Sequence, residues 1–159
     1  MIRNLSILDS EGQSLVISHF GECHSLGDNP TLISGLISAI HDMGHNLSGK
    51  GVDEIHFGEI YFVILAERDL LFAVAADDEE VEVNKVLLGQ IADQFLERYA
   101  STLWSRDDDD TEVFQDFVPH LLDMGLVVNS CGDYPDCDGC PKSTRMLPME
   151  QVITRSREM

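Results

Sequence analysis

Short apolar runs bounded by turn residues occur five times in the first 126 residues, and their composition predicts β-strands. Residues 9–12 separate the first two runs, and Gly12 there tolerates positive φ. Residues 58–59 and 68–69 separate the last three runs. Strands joined by such short turns are antiparallel. The predicted strands are 2–8, 14–20, 52–57, 60–67 and 70–76.

One helix is predicted between the second and third strands. Pro30 suits its first position because the ring fixes φ near the helical value, and Asp28 or Asn29 is the expected cap. Gly44 and Gly49 are the candidate stops. The apolar residues recur at helical spacing, at Leu32, Ile33, Leu36, Ile37, Ile40, Met43 and Leu47.

Two further helices are predicted after the fifth strand, each preceded by an acidic run that suits a helix N-terminus. The first follows residues 77–80 and extends to about Leu103. The second follows residues 107–110, where Asp109 and Glu112 have capping-box spacing. Pro119 predicts a kink or break, and Gly125 a stop. The apolar face of the longer helix consists of Val83, Leu87, Leu88, Ile91, Phe95 and Tyr99.

Residues 60–66 are apolar without alternation, which predicts a strand inside the sheet with helices on both faces. The fold class is therefore α+β: a five-stranded antiparallel sheet between one helix and a pair of helices. Residues 1–126 are predicted to form this domain, and residues 127–159 a tail that contains cysteines.

The N-terminal hairpin, the single helix at 30–47, the apolar strand at 60–66 and the two closing helices together resemble the longin domain. The resemblance covers residues 1 to about 126 and concerns element order, not signature residues. The related roadblock fold begins with a helix, which this chain lacks. The resemblance implies a non-catalytic scaffold or adaptor in small-GTPase regulation and membrane trafficking. Its implied partner is a small GTPase or another longin- or roadblock-like subunit, or a second copy in a homodimer.

The net charge of −19 makes nucleic acid an improbable partner, because nucleic-acid binding depends on Lys and Arg contacts to phosphate. Residues 141–159 carry a net +2, so the remainder carries −21 and suits a partner with a basic face. The longest apolar run, 60–66, is too short to span a bilayer, and residues 1–4 do not begin a signal peptide. A cytoplasmic protein is expected, which reaches membranes only through a partner.

The most distinctive local pattern is Cys131 followed by the C-x-x-C pair Cys137 and Cys140. Three thiolates supply three of the four ligands that tetrahedral zinc requires. Cys23, in the loop after the second strand, is the preferred fourth ligand. The sequence therefore predicts a structural zinc site that ties the tail to this loop.

Other interpretations of the cysteines stay open: His24 or Asp133 as the fourth ligand, a redox-active pair, or idle thiols. A redox site of the thioredoxin kind is disfavoured because the C-x-x-C follows the last helix.

His41 and His45 lie four residues apart, as metal ligands on a helix do, but they fit a solvated polar stripe better.

Residues that would carry catalysis are missing from the sequence. No serine lies in a G-x-S-x-G context, and residues 48–51 lack the remainder of a phosphate-binding loop. A non-catalytic binding module is therefore expected. The alternatives are a small-molecule sensor of PAS- or profilin-like shape, and a small metal or redox protein that uses the tail cysteines.

Overall fold

A computed structural model of the chain describes residues 2–20, 30–58, 60–76, 80–107 and 109–130. These residues form an α+β fold with a five-stranded antiparallel sheet and three α-helices, as predicted. The strands are β1 (Ile2–Leu8), β2 (Ser14–His19), β3 (Glu54–Phe57), β4 (Ile60–Glu67) and β5 (Leu70–Ala76). The α-helices are α1 (Pro30–Ser48), α2 (Val81–Ser105) and α3 (Phe117–Asp123), and a 3-10 turn at Glu112–Phe114 precedes α3.

The strand order is β2-β1-β5-β4-β3, with every neighbouring pair antiparallel. β4 lies inside the sheet between β5 and β3, which confirms the prediction from its apolar run. The middle position nevertheless belongs to β5, which is buried at all seven residues. β5 takes this position because it pairs with β4 through a tight turn and with β1 from the start of the chain.

Two apolar clusters lie on the two faces of the sheet, because side chains alternate along each strand. In β5, Phe72 and Val74 belong to the larger cluster, together with residues of α2 and α3. Ala73 and Ala75 belong to the smaller cluster, together with α1. A hydrogen bond of 2.8 Å between the hydroxyls of Ser14 and Ser34 joins β2 to α1.

Phe95 of α2 is the centre of the larger cluster. Its ring lies between 4.9 and 5.8 Å, centroid to centroid, from the rings of Phe72, Tyr99, Phe114 and Phe117. These rings come from β5, α2, the 3-10 turn and α3. Through Phe95, α2 therefore contacts the sheet, the 3-10 turn and α3 on this face.

Of the two candidate stops of α1, Gly49 is confirmed and Gly44 was wrong. The helix continues through Gly44 and ends at Ser48, and Gly49 follows it with φ +72°. Gly44 is required by packing, since a Cβ there would lie 2.5 Å from Cγ2 of Val52. Three of the apolar positions predicted for its core face are exposed instead: Leu32, Met43 and Leu47.

The predicted capping box before the third helix was wrong. Thr111 precedes the 3-10 turn, and the amide of Glu112 bonds to the side chain of Asp110 rather than to Asp109. Pro119 lies in the first turn of α3, where its missing N–H breaks no helical hydrogen bond. The break occurs instead between the 3-10 turn and Phe117.

No helix in the described part of the chain combines the length and apolar character needed to cross a membrane.

The predicted stop at Gly125 is confirmed, with φ +72°. Val127 is buried in the larger cluster, so the packed core includes the first residue after position 126.

Candidate functional site

The four predicted zinc ligands, Cys23, Cys131, Cys137 and Cys140, lie outside the described residues, so the zinc site stays a prediction. Within the described ranges, no three His, Cys, Asp or Glu side chains gather in a metal-binding arrangement. The alternative ligands His24 and Asp133 and the predicted caps Asp28 and Asn29 also lie outside those ranges.

An open cavity of about 250 Å³ lies where the β1–β2 turn, the β4–β5 turn and the C-terminal end of α2 meet. We refer to it as the hairpin cavity. It is lined by residues 9–11 of the first turn, residues 68–70 around the second turn, and Leu96, Ala100, Leu103, Trp104 and Arg106 at the end of α2.

Trp104 is the largest side chain of the hairpin cavity and the only tryptophan of the chain. It is 81% exposed, whereas the neighbouring lining residues Leu70 and Leu96 are buried. Tryptophan usually buries most of its surface in a folded protein. Because its indole is exposed to solvent beside an apolar lining, Trp104 is a candidate contact residue for a partner.

Arg106 fixes one side of the cavity. Its side chain is only 7% exposed, and its guanidinium lies 5.5 Å from the ring centroid of Phe114. Nη1 donates hydrogen bonds of 3.2 Å to the carbonyl oxygens of Asp107 and Asp110. Nη2 lies 3.9 Å from Oδ2 of Asp9. Arg106 therefore joins the segment after α2 to the β1–β2 turn.

Asp9 is held equally firmly on the opposite side. Its Oδ1 accepts hydrogen bonds of 2.9 Å from the amides of Glu11 and Gln13, the pattern of an Asx turn. Because one oxygen closes the turn and the other faces Arg106, the carboxylate has a fixed orientation. This side of the cavity is thus held by contacts within the chain.

The β4–β5 turn forms the third wall of the cavity. Its two central residues have positive φ, which most residues disfavour. Arg68 and Asp69 have φ of +50° and +62°, the left-handed region that a two-residue type I′ turn requires. Asn, Asp and Gly are the usual residues there, so Asp69 is tolerated, whereas a side chain such as that of Arg68 costs about 1–2 kcal/mol. Both side chains are exposed at the rim of the cavity.

The surroundings of the cavity are mainly acidic. Glu11 and Asp69 are exposed on its two turns, and Asp107, Asp109 and Asp110 are exposed directly after Arg106. Arg68 is also exposed on the rim, and Arg106 is paired with Asp9, so the exposed carboxylates outnumber the exposed cation. The rim therefore presents a negative potential, which attracts a cationic surface and repels an anionic one.

The described lining of the hairpin cavity has one hydroxyl, Ser10, the carboxylates of Asp9, Glu11 and Asp69, and no histidine or lysine. Comparison with known proteins does not assign a family: no protein-family model matches the chain, and no curated protein is significantly similar to it.

Reasoning from the sequence did not identify the hairpin cavity. Its parts come from three distant segments, and Asp9 and Arg106 carry no motif that would indicate their approach. One signal was present. Trp104 lies on the same helical side as the polar residues Gln90, Asp93 and Glu97, where an aromatic residue has no core to enter.

Proposed function

We propose that this protein is a non-catalytic binding module that docks a basic-faced protein partner at the hairpin cavity. The observation that carries the proposal is the 81% exposure of Trp104 beside that cavity. Tryptophan is among the residues that most often dominate the binding energy of protein interfaces. An exposed indole beside buried apolar residues and an acidic rim provides both an anchor and a charge preference.

The size and openness of the cavity favour a protein surface over a metabolite. Small-molecule sites generally enclose roughly 300–1,000 Å³ and bury most of the ligand. The hairpin cavity is smaller, at about 250 Å³, and opens toward solvent along the indole. A protruding side chain of a partner suits this volume better than an enclosed metabolite.

The arrangement of helices supports a longin-like scaffold. α1 packs in one apolar cluster, and α2 and α3 in the other, as expected for a sheet between one helix and a helical pair. By analogy of fold alone, the proposed partner is a small GTPase or a second longin- or roadblock-like subunit. A homodimer is the less favoured arrangement, because two copies of a chain with net charge −19 repel each other.

Photo-crosslinking from position 104 tests this function. A photoreactive phenylalanine analogue replaces Trp104 in one variant and Val86 in the matched control. Val86 is 65% exposed on the same helix, and 18 residues of helix place it roughly 27 Å away. In native extract, position 104 is expected to capture a protein that position 86 does not.

The captured protein is then purified and titrated across a salt series. We expect the affinity of this protein for the chain to fall as salt rises, because the acidic rim supplies part of the attraction. Equal capture from both positions, or a complex insensitive to salt, contradicts the proposal. Tight binding of a metabolite at the cavity would favour the sensor interpretation instead.

A further inference from the structure

β2 is an edge strand whose inner side pairs with β1, and in the described part of the chain no strand pairs with its outer side. The amide of Phe20 donates a 2.7 Å hydrogen bond to the carbonyl of Arg3, which fixes the phase of this ladder. Bonded and non-bonded pairs alternate in antiparallel sheets. Val16 and Ser18 therefore direct their backbone groups toward β1.

Ile17 and His19 occupy the non-bonded positions, opposite Ser6 and Asn4. Their backbone N–H and C=O groups consequently point away from β1, toward the outer edge. Two donors and two acceptors are thus arranged at the spacing that an added strand would match. Both residues are exposed.

A groove of about 330 Å³ runs beside this edge. Val16 and Ser18 line the strand side, and Thr111, Phe114, Gln115 and Val118 line the side formed by the 3-10 turn and α3. Phe114 is fully buried and Val118 half-buried, so the groove has an apolar base with polar margins. An apolar side chain that projects from an added strand would enter it.

The far wall of the groove is held in place by Asp116, which lies between the 3-10 turn and α3. Tyr99 Oη donates a hydrogen bond to one carboxylate oxygen, and the guanidinium of Arg98 donates to the other. Phe114 also packs against the rings of Phe95 and Tyr99. Contacts within the chain therefore fix the far wall of the groove.

The two edges of the sheet differ in how they discourage pairing. β3 has four residues, and two of them, Glu54 and His56, form a polar pair on its surface. β2 has six residues, Ser-Leu-Val-Ile-Ser-His, with no Lys, Pro or inward charge. A register shift interrupts its pairing with β1 before Val16, and from Val16 to His19 the pairing is regular. This regular part of the edge borders the groove.

The charge beside this edge indicates what kind of strand fits. Asp110 and Glu112 are exposed at the start of the 3-10 turn, next to the groove, whereas the carboxylate of Asp116 is paired with Arg98. A second copy of the chain would bring the same acidic residues and a further net charge of −19. A basic segment meets this surface with opposite charge instead.

We propose that the outer edge of β2 accepts an extended, basic segment of a partner protein as a sixth strand, with its apolar residues in the adjoining groove. Main-chain hydrogen bonds to Ile17 and His19 supply the pairing, and the groove selects alternate side chains. The β2 edge is separate from the hairpin cavity. Loss of binding at one of these two sites therefore leaves binding at the other intact.

Amide hydrogen exchange with a short synthetic peptide of alternating lysine and valine tests the proposal. On peptide binding, the amides of Ile17 and His19 are expected to exchange at least about tenfold more slowly. The amides of Val16 and Ser18, already bonded to β1, should change far less. A peptide N-methylated at the amides of one edge cannot pair through that edge, and methylation of the β2-facing edge should abolish the effect.

Two variants extend the test to the protein. Ile17→Pro removes an outward N–H without removing a bond to β1, and it should weaken peptide binding at least about tenfold. Ile17→Ala keeps the N–H and should bind within about threefold of wild type. Where Ile17→Pro does not fold, the methylated peptides still decide the matter.

Three results would overturn the proposal. One is unchanged exchange at Ile17 and His19 in saturating peptide. Another is equal binding of two N-methylated peptides, one methylated on the edge that faces β2 and one on the opposite edge. The third is dimerisation of the wild-type chain that Ile17→Pro abolishes, since a second copy would then occupy the edge.

Discussion

Replacement of Phe95 by alanine removes the ring that joins the sheet to both helices on its larger core. Phe95 has no solvent exposure, and four aromatic rings lie within 5.8 Å of its centroid. Phe→Ala changes in cores cost about 3–5 kcal/mol. Each aromatic pair contributes about 0.5–1.5 kcal/mol beyond area burial, so the cost should fall in the upper half of that range.

Urea unfolding followed by far-UV circular dichroism measures this cost through the midpoint and slope of the transition. Phe95→Leu keeps most of the buried volume and should cost about 1–2 kcal/mol, which provides a reading if the alanine variant does not fold. Trp104→Ala is the exposed control and should change stability by less than about 0.5 kcal/mol. A cost below about 1.5 kcal/mol for Phe95→Ala would refute the packing described here.

Three further predictions follow from the turn, the tyrosine and the tail. Arg68→Asn with Asp69→Gly should raise the free energy of unfolding by about 1 kcal/mol, since those residues suit positive φ, and a decrease in urea stability would contradict this. Burial, reinforced by the bond to Asp116, raises the pKa of Tyr99 from 10.0 to about 12. The unfolded chain therefore loses this proton first, and the free energy of unfolding should fall as pH rises from 10 toward 12. An absorbance titration should show one tyrosine ionising near pH 12 that Tyr99→Phe removes, and an unchanged titration would count against it. Elemental analysis of reduced protein should find about one zinc per chain, held by Cys131, Cys137, Cys140 and Cys23, and under about a tenth of an equivalent would exclude the site.

The elements of this fold were predictable because their signals are local. Turn residues at 9–12 and 68–69 delimit the strands, and Pro30 and Gly49 delimit α1. The central position of β5 was not predictable in the same way. It depends on pairing with β1 near the start of the chain, and β4 has an apolar run just as strong.

Periodicity also overestimated what α1 buries. Its apolar residues cover a broad arc, but only the side of Ile33 and Ile37 packs in the smaller cluster, and Leu47 remains exposed. Spacing identifies an apolar face without showing how much of it the rest of the chain covers. The hairpin cavity escaped prediction for a related reason, because Asp9 and Arg106 meet only after the sheet has formed.

The central claim is that Trp104 anchors a basic-faced partner, and the affinity of the purified partner for three forms of the chain tests it most directly. Trp104→Ala should weaken binding by roughly 30-fold or more, equivalent to the loss of about 2 kcal/mol at a binding hot spot. Val86→Ala, which changes an exposed residue at the far end of α2, should bind as the wild-type chain does. Equal affinity of wild type and Trp104→Ala would contradict the claim.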